Sequence, residues 1–168
     1  LLPGLQKSSA LIAAVLYTLS PVVAGAQQAA NTDRSAVDQS RNGLTIYNIN
    51  TPNAKGLSNN IHNSFDIPTR GAIDNNSATI TYSQLEKGYI EGNPNLQVGR
   101  EASTILHQII GGSRSQMNGL LEVAGKKAQL VIVNENGITC NGCGFINTSR
   151  ATLSTGAANI NASGELAG

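Results

Sequence analysis

The stretch GLLEVAGKKAQLVIVNENGITCNGCGFINTSRATLSTG, Gly119–Gly156, decides the fold. It opens with two short β-prone runs, LLEVAG (Leu120–Gly125) and AQLVIV (Ala128–Val133), separated by Lys126-Lys127. Each has the length of one strand, and each ends in turn chemistry. After Val133 a rhythm sets in. Ile138, Ile146, Leu153 and, just beyond, Ile160 stand seven or eight residues apart, with Asn, Gly, Ser and Thr between them. One apolar anchor per short segment cannot bury itself in a flat sheet. It can if the chain winds, so that successive coils stack their anchors inward; three such segments make a coil of roughly 20–25 residues. The pattern favours a parallel β-helix over a closed barrel.

Further strands are expected upstream. LTIYNI (Leu44–Ile49) is a β-prone run that stops at Asn50, Pro52 and Asn53, and ATITY (Ala78–Tyr82) follows the turn-rich DNNS (Asp74–Ser77). One stretch has a different period. REASTILHQII (Arg100–Ile110) places Ala102, Ile105, Leu106, Ile109 and Ile110 at helical spacing, so periodicity alone predicts a helix there.

Composition agrees with an all-β reading. At 168 residues the chain is long enough for one domain with its own core. Only 12% is charged and 4% aromatic, but 40% is hydrophobic, which separates the chain from disordered sequences. The remainder is rich in Gly, Asn, Ser and Thr, the residues of tight turns. A net charge of +1 offers no field for nucleic acid, and no nucleic-acid partner is expected.

The N-terminal segment reads separately. Lys7, an apolar run over Ala10–Leu19 and Ala24-Gly25-Ala26 form the n-region, h-region and A-x-A site of a secretory signal. The run is too short to span a hydrocarbon core of about 30 Å, so no stable transmembrane segment is expected. Residues 1–26 are therefore assigned to a signal peptide, incomplete at its start, that engages the Sec machinery. Residues 27–42 form a polar lead-in, and residues 43–168 the folded domain.

GNPNL (Gly92–Leu96) and the Gly119–Gly156 stretch resemble the secretion domain of two-partner secretion exoproteins of Gram-negative bacteria, of the filamentous-haemagglutinin, haemolysin and contact-dependent-inhibition type. IYNINTPNAKGLSNNIHNSFDI (Ile46–Ile67) resembles the family's opening strand and the segment after it, so the likeness covers about residues 43–160. It implies an all-β fold, a right-handed parallel β-helix (solenoid) with an N-terminal β cap and extra-helical strands, truncated to the cap and first coils. It also implies that Arg100–Ile110 is largely strand, against the periodicity.

Two family motifs carry over. N-P-N-L falls on Asn93, Pro94, Asn95 and Leu96. N-P-N-G-I falls on Asn134, Glu135, Asn136, Gly137 and Ile138, with Glu135 in place of Pro. Physically both are turn makers, because Asn bonds its own backbone and Asn or Gly accepts the left-handed region. The resemblance adds a second role, partner recognition. Glu135 loses the preset φ of Pro, at about 0.4–1 kcal/mol through the unfolded state.

Cys140 and Cys143 enclose Asn141-Gly142, a type I′ turn dipeptide. No helix follows, as a thioredoxin-type redox pair would need, and four zinc ligands are not at hand. In an exported chain the expected state is a disulfide, with free thiols as the alternative; it would be a local staple of roughly 2 kcal/mol. His62 and His107 read as surface or cap residues. The acids Asp66, Asp74, Glu86, Glu91, Glu101, Glu122 and Glu135 are scattered, and no G-x-S-x-G elbow exists. No enzyme activity, metal or cofactor is expected.

The resemblance implies a secretion-targeting domain of a large bacterial exoprotein. Its partner would be an outer-membrane β-barrel transporter with POTRA domains, and its folding would nucleate the β-helix during export through the periplasm to the medium or cell surface. The alternative is a surface adhesin fragment that binds glycan or protein on a host-cell surface directly.

Overall fold

A computed structural model describes residues 36–167. The signal-peptide assignment therefore lies outside the described residues. β1 (Ala36–Gln39) runs antiparallel to β2 (Thr45–Asn48) and caps one face. β3 (Leu57–His62) and β4 (Ala72–Asn76) continue the first coil on two faces. The antiparallel hairpin β5 (Thr81–Ser83) and β6 (Gly88–Ile90) then leaves it. β7 (Thr104–Ile109), β8 (Ser115–Met117) and β9 (Leu120–Gly125) make the next turn. β10 (Ala128–Asn134), β11 (Ile138–Cys140) and β12 (Gly144–Ile146) make another, and β13 (Thr148–Ser154) begins one more. The short hairpin β14 (Asn159–Ile160) and β15 (Leu166–Ala167) follows.

Strands from successive turns stack in parallel on three faces. One carries β2-β4-β9-β12 with β1 at its edge, the second β3-β7-β10-β13, and the third β8-β11, extended by an Ile67–Met117 bridge. Thr104 pairs with Gln129 and Ser115 with Ile138, so a turn takes 25 or 23 residues, as the spacing of anchors predicts. Leu57 pairs with Thr104, and that 47-residue interval is longer because it holds the β5–β6 hairpin and the N-P-N-L loop. The fold is a parallel β-helix with extra-helical hairpins.

Alternation along each strand sorts the core. Ile105 and Ile109 of β7, Leu130 and Ile132 of β10, and Leu121 and Val123 of β9 point into the coil and pack with Phe65, Ile67, Leu96 and Met117. Each such buried side chain is worth about 1.5–3 kcal/mol. Leu106, Val131 and Val133 point outward, yet are buried with Leu57 beneath Ile160 and Leu166 of the second hairpin. Ile46, Ile73 and Ala124 are likewise buried outside the coil, with Leu85 and Ile90 of the first hairpin.

Covering both faces explains two departures from the sequence reading. β7 is a strand, as the resemblance implied, and departs only from the periodicity; a strand buried on both sides reads as a near-continuous apolar run, and such runs mimic helical spacing. Of the rhythmic anchors, Ile138 packs on the interior, but at β12 Phe145 rather than Ile146 faces inward, and Ile160 packs outside the coil. The turn expected at Asp74–Ser77 is also corrected. Asp74, Asn75 and Asn76 belong to β4 and are buried in its ladder.

Candidate functional site

The two Asn motifs build the same turn. Asn93 is buried, and its Oδ1 accepts the N–H of Asn95 at 2.8 Å while Leu96 N–H donates to its carbonyl at 3.1 Å. In the second motif the Asn134 Oδ1 accepts the N–H of Asn136 at 2.9 Å, and Gly137 N–H donates to the Asn134 carbonyl at 2.9 Å. Both are Asx turns closed by a backbone bond three residues on. Pro94 and Glu135 occupy the same exposed second position. Gly137 has φ +104°, a conformation that favours glycine.

The side-chain amides look inward and act as struts. Asn93 Nδ2 donates to the carbonyls of Ile49 and Asn75, each at 2.9 Å. Asn95 Nδ2 reaches the carbonyls of Asn48 and Ile49 at 3.2 Å, and its own carbonyl accepts from Thr51 Oγ1 at 2.8 Å. The N-P-N-L loop thus joins the end of β2 to the end of β4, with Leu96 inserted in the interior. Asn134 Nδ2 donates to the Ser113 carbonyl at 2.9 Å and Ser115 Oγ at 3.0 Å, and Asn136 Nδ2 to the Gly111 carbonyl at 2.6 Å. This turn ties the end of β10 to the corner before β8, one coil away. Ile138 follows, half-buried against the core. The motifs do not converge on one surface patch through shared partners; each fastens its own corner.

Cys140 and Cys143 are joined, with Cα atoms 5.2 Å apart, across the corner between β11 and β12. Cys140 is exposed and Cys143 packs against the interior.

Several polar residues with structural work went unread in the sequence. Asn76 holds Ala102 from both ends of its amide, accepting its N–H at 2.8 Å and donating to its carbonyl at 3.0 Å, and also donates to the Lys126 carbonyl at 2.8 Å. Asn75 Nδ2 donates to Asn48 Oδ1 at 3.0 Å, and Asn60 accepts the N–H of Asn50 at 2.9 Å. Glu122 is buried and accepts from Ser83 Oγ at 2.6 Å and from the N–H groups of Gln84 and Leu85, which pins the first hairpin.

His62 and His107 are corrected from surface to interior: they are 2% and 0% exposed. His107 Nε2 lies 3.0 Å from Asp74 Oδ2 and its Nδ1 lies 2.9 Å from His62 Nε2. β3 and β7 pair in parallel on one face of the coil and β4 lies on another, which brings these residues together from three distant segments. Burial, and then the neighbouring His107 charge, push His62 down from 6.5 to about 3. Among the described residues no group of three or more His, Cys, Asp or Glu is arranged to hold a metal.

The family model described as "TPS secretion domain" matches residues 23–167. The "16S rRNA endonuclease CdiA" of Enterobacter cloacae is 42% identical over 159 residues, spanning 94% of this chain and 5% of that protein. "Toxin CdiA" of Yersinia pestis is 45% identical over 161 residues, 92% of this chain and 5% of that one. "tRNA nuclease CdiA-2" of Burkholderia pseudomallei is 44% identical over 153 residues, with shares of 91% and 5%. The chain thus spans only 5% of the length of these relatives. Among solved structures, the crystal structure of a filamentous hemagglutinin secretion domain superposes with a TM-score of 0.71 at 39% identity, covering 77% of this chain and 42% of that one.

Proposed function

This chain belongs to the TPS secretion domain family, and we propose that it is the secretion-targeting part of a large exported protein, recognised by a cognate outer-membrane β-barrel transporter. In this reading residues 1–26 pass the chain to the Sec machinery. POTRA domains of the transporter then take the unfolded chain in the periplasm. Strand addition to a sheet edge is the contact mode that an unfolded β-prone segment fits. The product is secreted or held at the surface of a Gram-negative cell.

The observation that carries the folding half of the proposal is the seat of Asn93. Its amide fastens the end of β2 to the end of β4, so the first coil closes only when the N-P-N-L loop has arrived. Each later strand of the second face has its register set by the one before: β7 on β3, β10 on β7 and β13 on β10. A closed first coil is therefore the template from which a solenoid propagates. Without ATP in the periplasm, folding outside the membrane supplies the free energy that keeps the chain from slipping back.

An export assay tests this. The chain with its N-terminal segment is expressed with and without its transporter, and medium and periplasm are assayed. Transporter-dependent appearance in the medium is expected, and reduced export when Asn93 and Asn95 are changed to Ala. Equal export in all arms would exclude the reading.

A further inference from the structure

The turns and the proposed export role make no use of the Asp74–His107–His62 chain, which lies in the interior between the first coil and the next. A carboxylate accepts, so with Asp74 ionised His107 Nε2 carries the hydrogen of their 3.0 Å contact. Across the 2.9 Å His–His contact there is room for one hydrogen. Either His62 Nε2–H donates to His107 Nδ1, or His107 Nδ1–H donates to His62. With a proton on each imidazole, two N–H groups would face one another with no acceptor between them, and two like charges would share a dry site. The folded chain thus accepts one proton on the pair and refuses the second. Unfolded, both rings take a proton below about pH 6.5.

Among the described residues around the pair, the side chains are apolar or neutral apart from Asp74. β2 contributes Tyr47, edge-on to both imidazoles, and Phe65 stacks on His107 with centroids 4.3 Å apart. The inward residues of β9 and β10, Val123 and Ile132, are apolar, and Asn60 of β3 and Asn134 of β10 are neutral. The other buried carboxylates are held elsewhere, Glu122 by Ser83, Gln84 and Leu85, and Glu86 by Asn42. Asp74 is the single carboxylate in the network among the described residues, and its Oδ1 is buried with no hydrogen-bond partner. Among the described residues β3, which carries His62, is the edge of its sheet, and β7 is the one strand that pairs with its backbone.

We propose that Asp74, His107 and His62 form a proton-limited latch on β3: it holds with at most one proton on the two imidazoles and releases the Leu57–His62 strand when the pH is low enough to protonate both. Because His62 is held below its ordinary value, down to about 3, the stability that it contributes is complete above about pH 6.5. It is lost as the pH falls from there toward 3.

The test compares the full chain with a His62→Gln variant, whose amide oxygen can accept from a protonated His107 Nδ1–H, so that the one allowed proton is still taken, but whose side chain takes none itself. Unfolding equilibria are measured from pH 7.5 to 4.5, with amide exchange resolved by strand. Below pH 6.5 the unfolding constant of the wild type is expected to rise by about an extra tenfold per pH unit relative to the variant, the slope of one proton. The β3 amides should lose protection before those of β10. Parallel pH profiles in the two proteins, or equal loss over β3 and β10, would overturn the latch. If the variant does not fold, the wild-type ring decides by NMR. His62 neutral in the folded molecule down to pH 5 supports the proposal, and His62 titrating near 6.5 with the fold intact defeats it.

Discussion

Asn93 and Asn134 make one turn in two places, and the difference lies in what each amide fastens. The backbone bonds of the two turns match within 0.2 Å, and each Asn donates twice through Nδ2. Asn93 bonds carbonyls 44 and 18 residues back in the chain, both backbone, and so closes the first coil over a long insertion. Asn134 bonds groups 21 and 19 residues back, one of them a hydroxyl that can turn to other partners. The same local code therefore serves as the closing strut of a coil in one place and as a corner brace in the other. A backbone carbonyl that loses a donor cannot turn to seek another, whereas a hydroxyl can rotate away.

That contrast can be broken or sharpened by measurement. Asn93→Ala is expected to have the largest effect, a loss of about 3 kcal/mol, because the Asn75 and Ile49 carbonyls and the Asn95 N–H all lose a hydrogen bond from one buried amide, with Asn95 Nδ2 left as the other donor to Ile49. Denaturant unfolding of the purified chain reads it, and a loss no larger than that of Asn134→Ala would collapse the distinction. Asn134→Ala is expected to lower stability by about 2 kcal/mol, with the increase in amide exchange confined to the corner between β10 and β11. Reducing the Cys140–Cys143 bond comes next, at no more than about 2 kcal/mol, since so short a loop removes little entropy from the unfolded chain. Thermal melts with and without reductant should show a small shift in the midpoint. A collapse of the whole fold on reduction would mean that the corner acts beyond its own coil.

The smallest change has the opposite sign. Glu135→Pro should stabilise by about 0.4–1 kcal/mol, because Pro94 already occupies the matching position of a matching turn. A destabilised variant would show that the two turns are not interchangeable.

Legibility in the sequence followed the range of the forces involved. LLEVAG and AQLVIV were readable as strands, and the coil length of 23 to 25 residues could be anticipated, because strand length and turn residues are written locally. The two Asn turns were readable for the same reason. Asp74, Asn75, Asn76 and Asn60 were not. Asn and Asp in a row signal a turn, and only a neighbouring coil that supplies carbonyls and N–H groups makes them strand residues. Arg100–Ile110 was misread as helical by period because its outward residues are covered by the β14–β15 hairpin, some fifty residues later in the chain, for which no local pattern gives warning.

By itself, then, the amino-acid order determined where the chain extends, where it bends and how long a coil is, since φ preferences and alternation act within a few residues. Only the tertiary structure decided which polar groups go inside. His62, His107 and Asp74 are ordinary surface residues until β3 and β7 align in register and the coil brings β4 opposite them, which places His107 2.9 Å from His62 and 3.0 Å from Asp74. A buried polar group is tolerated only with its partner in place, and that partner is chosen by the stacking of coils rather than by neighbours in sequence.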